Sequence, residues 1–164
     1  MLAQFLPHTY GCPSWLERFV HSSERTYVGE LGWIQVEKPL VLIVEDQAPL
    51  QEMLATVVEQ LLNARAVLVD QAATLVEKVK SLKPAVILMD TAVPGGIQAI
   101  KKLKSDPETQ RVPAIAFNTR GWATCHEALE AGYDACVEDS NVDRLDAVAR
   151  QFLPRTNGIM ADDA

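Results

Sequence analysis

The sequence is short of the features that would mark a secreted, membrane-spanning or nucleic-acid-binding protein. Only three cysteines, Cys12, Cys125 and Cys136, stand among 164 residues, and their spacing does not repeat. An odd, unpatterned set makes a disulfide framework unexpected, so reduced thiols in a cytosolic compartment are the expectation. No stretch approaches the roughly 18 consecutive apolar residues that a membrane-crossing helix needs. Residues 1–7 lack a basic segment followed by a long apolar one, so no signal peptide is expected. Positive charge is scarce too: 15 Lys and Arg face 22 Asp and Glu, a net charge of −7. Direct nucleic-acid binding, which needs clustered cations to neutralise phosphates, is therefore not expected. Together these absences point to a cytoplasmic protein.

What is present suits an ordinary folded domain. Apolar residues make up 48% and charged residues 23%, enough length and apolarity for one real core. From Pro39 onward, short apolar runs alternate with amphipathic stretches. Residues 41–44 form a β-branched run that ends at Glu45-Asp46. Leu50, Met53, Leu54, Val57, Val58 and Leu61 then recur at helix spacing. A second run covers 66–69, and Leu75, Val76, Val79 and Leu82 mark a second helix. The third run, 85–89, is apolar throughout and stops at Asp90, as a strand buried on both faces would. Ile97, Ile100 and Leu103 trace a third helix, and 113–117 is a fourth strand. Residues 123–131 read as a fourth helix capped by Gly132, 135–137 as a fifth strand, and Val142, Leu145, Val148 and Phe152 line a last helix. Five strands alternating with five helices through short connections predict an α/β fold of βαβ units around one parallel sheet.

Residues 1–38 stand outside this alternation as an amino-terminal extension, and 154–164 as a flexible carboxy-terminal tail. Ser14-Trp15-Leu16-Glu17 has the form of a capping box, which predicts a short helix over 15–20; residues 27–36 suit an irregular hairpin or an extended arm. Trp15 and Trp33 could anchor a partner or a second copy of the chain, giving a homodimer, or pack back on the domain itself. Cys125-His126 and the pair His8 and Cys12 are too few for a tetrahedral soft-metal site. No Gly-rich phosphate-cradling turn follows the first strand, where Glu45-Asp46-Gln47-Ala48-Pro49 stands instead, which disfavours a flavin or nucleotide site.

In an open parallel sheet, ligands bind beyond the carboxyl ends of the strands where the strand order reverses. Glu45, Asp46 and Asp90 all fall at such ends. If the strands are ordered 2-1-3-4-5, the first and third are adjacent and three carboxylates converge. At 4 Å each pair of like charges repels by about 4 kcal/mol in a medium of effective dielectric 20. A hard divalent cation, Mg²⁺ above all, relieves that repulsion through oxygen ligands. Asp90, rigid after a buried strand and expected to be exposed at its tip, has the attributes of a nucleophile that accepts a phosphoryl group.

The run Val41-Leu42-Ile43-Val44-Glu45-Asp46 resembles the opening strand and acidic pair of response-regulator receiver domains, the CheY-like family. Lys83-Pro84-Ala85-Val86-Ile87-Leu88-Met89-Asp90 with Val93-Pro94-Gly95 is similar to that family's phosphoacceptor strand and loop. Leu103-Lys104-Ser105-Asp106-Pro107 leading to Val112-Pro113-Ala114-Ile115-Ala116-Phe117, and Ala128-Leu129-Glu130-Ala131-Gly132-Tyr133-Asp134, extend the likeness over about 115 residues. The resemblance implies a flavodoxin-like doubly wound (βα)5 receiver over 39–153, with sheet order 2-1-3-4-5. It implies Mg²⁺ on Glu45, Asp46, Asp90 and the backbone carbonyl of Ala92. It further implies that Asp90 takes phosphate from a sensor histidine kinase or a phosphotransfer protein in a two-component phosphorelay. The added charge then reshapes the face of the fourth and fifth strands and their helices for a downstream protein partner.

Three departures from the family pattern bear on that expectation. Asn118 stands where the family has Ser or Thr, and Asp139 where it has Lys. No lysine follows Lys104, so no shift of register restores one. Cys136 takes the place of the switch aromatic, and the loop Pro94-Gly95-Gly96-Ile97 is about two residues short. Arg120 could supply positive charge from its loop, and Trp122 could shield the pocket or simply pack its helix. Enzymatic activity is expected to go no further than self-phosphorylation, with no separate catalytic output domain. The alternative is a pseudo-receiver, an interaction module whose surface is set without phosphate.

Overall fold

The computed structural model describes residues 23–28, 32–117, 125–138 and 141–154. The chain divides into two units, Met1–Lys38 and Pro39–Ala164. In the first, strands β1 (Ser23–Val28) and β2 (Gly32–Glu37) pair antiparallel, with Tyr27 opposite Trp33, the hairpin form of the two expected for this segment. The expected helix over 15–20 lies outside the described residues, and of Trp33 only its place in β2 is described.

Among the described residues, the second unit carries five strands and five α-helices in strict alternation. They are β3 (Leu40–Val44), α1 (Ala48–Gln60), β4 (Arg65–Val69), α2 (Leu75–Leu82), β5 (Val86–Asp90), α3 (Gly96–Ser105), β6 (Ala114–Phe117), α4 (Cys125–Ala131), β7 (Ala135–Val137) and α5 (Val142–Ala149). The sheet is parallel throughout, ordered β4-β3-β5-β6-β7. Counted within this unit, that is the 2-1-3-4-5 order expected from the sequence.

Period-two alternation explains why continuous apolar runs form strands here rather than helices. Leu42, Val44, Ile87, Met89, Ala114 and Ala116 point to one face, where they meet α2, α3 and α4. Val41, Ile43, Val86, Leu88, Ile115, Phe117 and Val137 point to the other, against α1 and α5. The three inner strands β3, β5 and β6 are buried on both faces, which is why their runs are apolar up to the strand ends, whereas the edge strand β4 exposes Arg65 and Leu68. The helices contribute one stripe each: Leu54, Val57 and Val58 from α1, Leu75 and Val79 from α2, Leu145 and Ala149 from α5.

Local chemistry sets the element ends. Pro49 occupies the first turn of α1, where its missing N–H costs nothing. Asn141 caps α5, its side chain accepting from the Arg144 amide at 3.0 Å. Gly132 closes α4 with φ 111°, the left-handed conformation anticipated for it. Arg150 donates from Nη2 to the carbonyl of Leu61, tying the end of α5 to the end of α1.

At the amino end of β6, Asp134 accepts from the Ala114 amide at 2.7 Å and from Lys104 Nζ at 2.6 Å. Lys104 also donates to the Val112 carbonyl at 2.9 Å. The last lysine of the chain is thus engaged at the end of the sheet opposite Asp90. Removing this shared acceptor in Asp134→Ala leaves an amide and an ammonium without their partner, and a loss of about 1–2 kcal/mol is expected. Urea denaturation checks it: Asp134→Asn should recover part of the loss, and an unchanged midpoint in Asp134→Ala would show that water replaces the acceptor fully.

Candidate functional site

The strand order brings Glu45 and Asp90 together. β3 and β5 are hydrogen-bonded neighbours with Val44 opposite Met89, so the next residue of each emerges at the same sheet edge. Gln51 Nε2 donates to the Glu45 backbone carbonyl at 2.6 Å, and Gln47 N donates to Glu45 Oε1 at 2.9 Å, which holds the turn from β3 into α1. On the β5 side, the Ala92 amide donates to Asp90 Oδ1 at 2.6 Å. The loop returns closely onto the sheet because Gly96 opens α3: a Cβ there would stand 2.7 Å from Met89 Cε.

The electrostatics of this pair follow from burial. Glu45 is fully buried, and its Oε2 has no hydrogen-bond partner. Burial pushes its carboxyl up to about 7; the Gln47 amide opposes that rise, while the carboxylates of Asp90 and Asp46 beside it reinforce it. With no cation bound, the group therefore keeps its proton to a higher pH than an ordinary glutamate.

Asp90 does not match one expectation. A carboxylate exposed at its tip was anticipated, whereas Asp90 is 1% exposed. The cause is local: Oδ1 turns back onto the Ala92 amide, and the side chain stands against Glu45 instead of in water. Asp46 is exposed. Asn118, Asp139, Arg120 and Trp122 lie outside the described residues.

These donors are chemically suited to a hard cation. Carboxylate oxygens and the Ala92 carbonyl are Mg²⁺ ligands by type, and a buried carboxylate oxygen without a donor is the atom a cation would satisfy. The set is not preassembled, however: among the described residues, no three acidic, His or Cys side chains are already grouped to hold a metal ion.

Two features of this region were missed in the sequence. Tyr133 is buried, its hydroxyl has no hydrogen-bond partner, and its pKa is raised by burial and then by the negative charge of Asp90. Its place in the run Gly132-Tyr133-Asp134 carried no periodic signal that could have aimed it at this end of the sheet. The second is a disulfide between Cys125 and Cys136, with Cα atoms 5.5 Å apart. It overturns the expectation of reduced thiols, because the fold places the start of α4 against β7, a closeness that a spacing of 11 residues does not reveal. With it goes the cysteine argument for a reducing compartment. Among the described residues, no helix is long and apolar enough to cross a membrane.

Comparison with known proteins agrees with this architecture. Residues 41–149 match the family described as the response regulator receiver domain. Over 122 residues the chain is 33% identical to the phosphate regulon transcriptional regulatory protein PhoB of Escherichia coli K12, covering 70% of this chain and 53% of that protein. The corresponding Pseudomonas aeruginosa protein is 32% identical over 132 residues. The chain thus spans about half the length of these curated relatives. Among solved structures, the receiver domain of sensor histidine kinase PA1611 from Pseudomonas aeruginosa PAO1, with magnesium coordinated in its active site cleft, superposes with a TM-score of 0.63 at 22% identity. That match covers 70% of this chain and 97% of the PA1611 domain. The response regulator domain of Thermotoga maritima CheB gives 0.60 at 24% identity, over 71% and 96% of the two chains. At such identities these structures speak for the fold alone. On its strand order, its acidic strand ends and its match over residues 41–149, this chain belongs to the response regulator receiver family.

Proposed function

We propose that the domain is the phosphoacceptor of a two-component phosphorelay, taking a phosphoryl group on Asp90 from a histidine kinase or phosphotransfer protein and signalling through protein contacts. The observation that carries this reading is the buried Glu45 Oε2, without a hydrogen-bond partner beside Asp90. A carboxyl raised to about 7 by burial and by its acidic neighbours is one whose ionised form a bound cation would favour.

In this proposal Glu45, Asp46, Asp90 and the Ala92 carbonyl hold Mg²⁺. When bound, the ion supplies positive charge where negative charge gathers on the transferring group. Asp46, which is exposed, would have to turn inward to join the set. Asp90 attacks the phosphorus of a phosphohistidine in line, the P–N bond breaks, and the acyl phosphate remains on Asp90.

A second reading, the pseudo-receiver, is favoured by the 1% exposure of Asp90 and by a disulfide at Cys136, the family's switch position. Intact mass measurement after incubation with acetyl phosphate and Mg²⁺ separates the two. Phosphoacceptor function predicts one added phosphoryl group that is absent without Mg²⁺ and absent in Asp90→Asn. No adduct under any of these conditions, together with unchanged partner binding by Asp90→Ala, would leave only the pseudo-receiver.

A further inference from the structure

We propose that the Cys125–Cys136 disulfide is a reversible clamp that holds the amino end of α4 on β7, and that its reduction frees that end of the helix. Cys125 is the first residue of α4, and Cys136 is the middle residue of β7, the three-residue strand at the edge of the sheet. The link therefore joins a helix start to a strand whose neighbour among the described residues is β6.

The rest of α4 buries few side chains. Of its seven residues only Ala128 and Ala131 are buried, and each offers the core a single methyl group; Leu129 is 49% exposed. By contrast, α1 buries Leu54, Val57 and Val58. The carboxy end of α4 is anchored, because the Gly132 amide donates to the Leu129 carbonyl at 3.1 Å and the amide of buried Tyr133 to the Ala128 carbonyl at 3.2 Å. Among the described residues the amino end has the disulfide as its covalent tether. A helix of two turns is unstable on its own, so its order must come from such tertiary attachments. His126 and Glu130 pair along the exposed face of the helix at 3.3 Å and do not reach the sheet.

Both cysteines are only partly buried, which leaves the bond open to exchange. The co-reactant is a dithiol reductant. Its first thiolate attacks one sulfur of the disulfide, breaking the S–S bond and forming a mixed disulfide. Its second thiolate then displaces the protein sulfur. In total two electrons and two protons pass to Cys125 and Cys136, and the reductant leaves as its own disulfide. Because β7 and α4 belong to the face through which the proposed receiver signals, the oxidised form would hold that output surface in one arrangement. This signalling consequence rests on the function proposed above; the clamp itself does not.

The test uses the full chain with no phosphoryl donor, so its failure is separate from any failure of Asp90 to be phosphorylated. Alkylation of the unfolded, unreduced protein followed by mass measurement should label Cys12 alone, and all three cysteines after treatment with dithiothreitol. Backbone amide exchange in residues 125–131 should then rise by about tenfold or more on reduction, with 40–44 and 86–90 unchanged. Cys125→Ser and Cys136→Ser should show the faster exchange whether or not reductant is present. The clamp is refuted if all three cysteines are labelled before reduction, or if exchange in α4 does not change. It is equally refuted if exchange rises throughout the sheet, since the bond would then be a general fold staple rather than a local device.

Discussion

Asp139→Lys, alone and combined with Asn118→Thr, is expected to raise the rate of Asp90 phosphorylation by acetyl phosphate by roughly 10²–10³-fold. By the resemblance, Asp139 falls where the family has a lysine. A preorganised positive group aimed at the charge developing on a transferring phosphoryl group contributes about 3–4 kcal/mol of barrier lowering. A carboxylate at that position would lack the contribution and add repulsion of its own. Lys104 cannot substitute, because it is engaged with Asp134 and the Val112 carbonyl at the amino end of β6. Asn118→Thr should add less, since a side-chain amide is itself able to donate a hydrogen bond. The measurement is the time course of the intact-mass adduct in Mg²⁺. If Asp139→Lys phosphorylates no faster than the parent protein, the barrier lies elsewhere, and the burial of Asp90 becomes the leading cause.

The second large effect concerns metal and pH. In the folded protein without metal, Glu45 titrates near 7, above the 4.5 of an ordinary glutamate. A carboxyl whose folded pKa is raised binds more protons in the native state than in the unfolded state between those values. Its contribution is therefore full below about 4.5 and is lost as pH rises through about 7. On this account the metal-free protein becomes less stable by on the order of 2 kcal/mol between pH 5 and pH 8. Mg²⁺ should reverse the trend by favouring the ionised form. At a hundred times its dissociation constant it adds about 2.7 kcal/mol at pH 8, or roughly 10 °C in Tm, and almost nothing at pH 5. Glu45→Gln, which imitates the protonated form, should flatten the metal-free pH profile and remove most of the Mg²⁺ response. Thermal melts at the two pH values, with Mg²⁺ and with a chelator, check all of this. A Tm at pH 8 that ignores Mg²⁺ in the parent protein would sink the metal site and, with it, the phosphoacceptor reading.

The two readings of the domain make different demands on the same residues. A working receiver must bring Asp90 out from the Ala92 amide and the Glu45 carboxyl far enough to meet a phosphodonor. A cation that favours ionised Glu45 would do part of that work by offering Asp90 a partner in place of the contacts now turning it inward. A pseudo-receiver needs none of this, and for it the disulfide at the family's switch position would be a permanent brace. Asp90→Asn and the two cysteine variants probe these demands independently.

Much of the molecule was legible along the chain. The β-branched run at 41–44 and the wholly apolar run at 85–89, the latter indicating a strand covered on both sides, alternate with helical stripes, and that alternation pointed to βαβ units. From that came the parallel sheet, and from strand ends that are acidic came the pairing of Glu45 with Asp90. Each of these is a one-dimensional periodicity or a boundary, which is information a sequence carries locally. What tertiary structure alone decided is how groups distant along the chain meet. The inward turn of Asp90 depends on the Ala92 amide and the neighbouring strand. The value near 7 for Glu45 depends on burial and on Asp90, 45 residues away in the numbering. The bond between Cys125 and Cys136 depends on α4 lying over β7, and no spacing rule contains that distance. Desolvation and close approach are properties of packed surroundings, and they exist only once the helices have closed over the sheet.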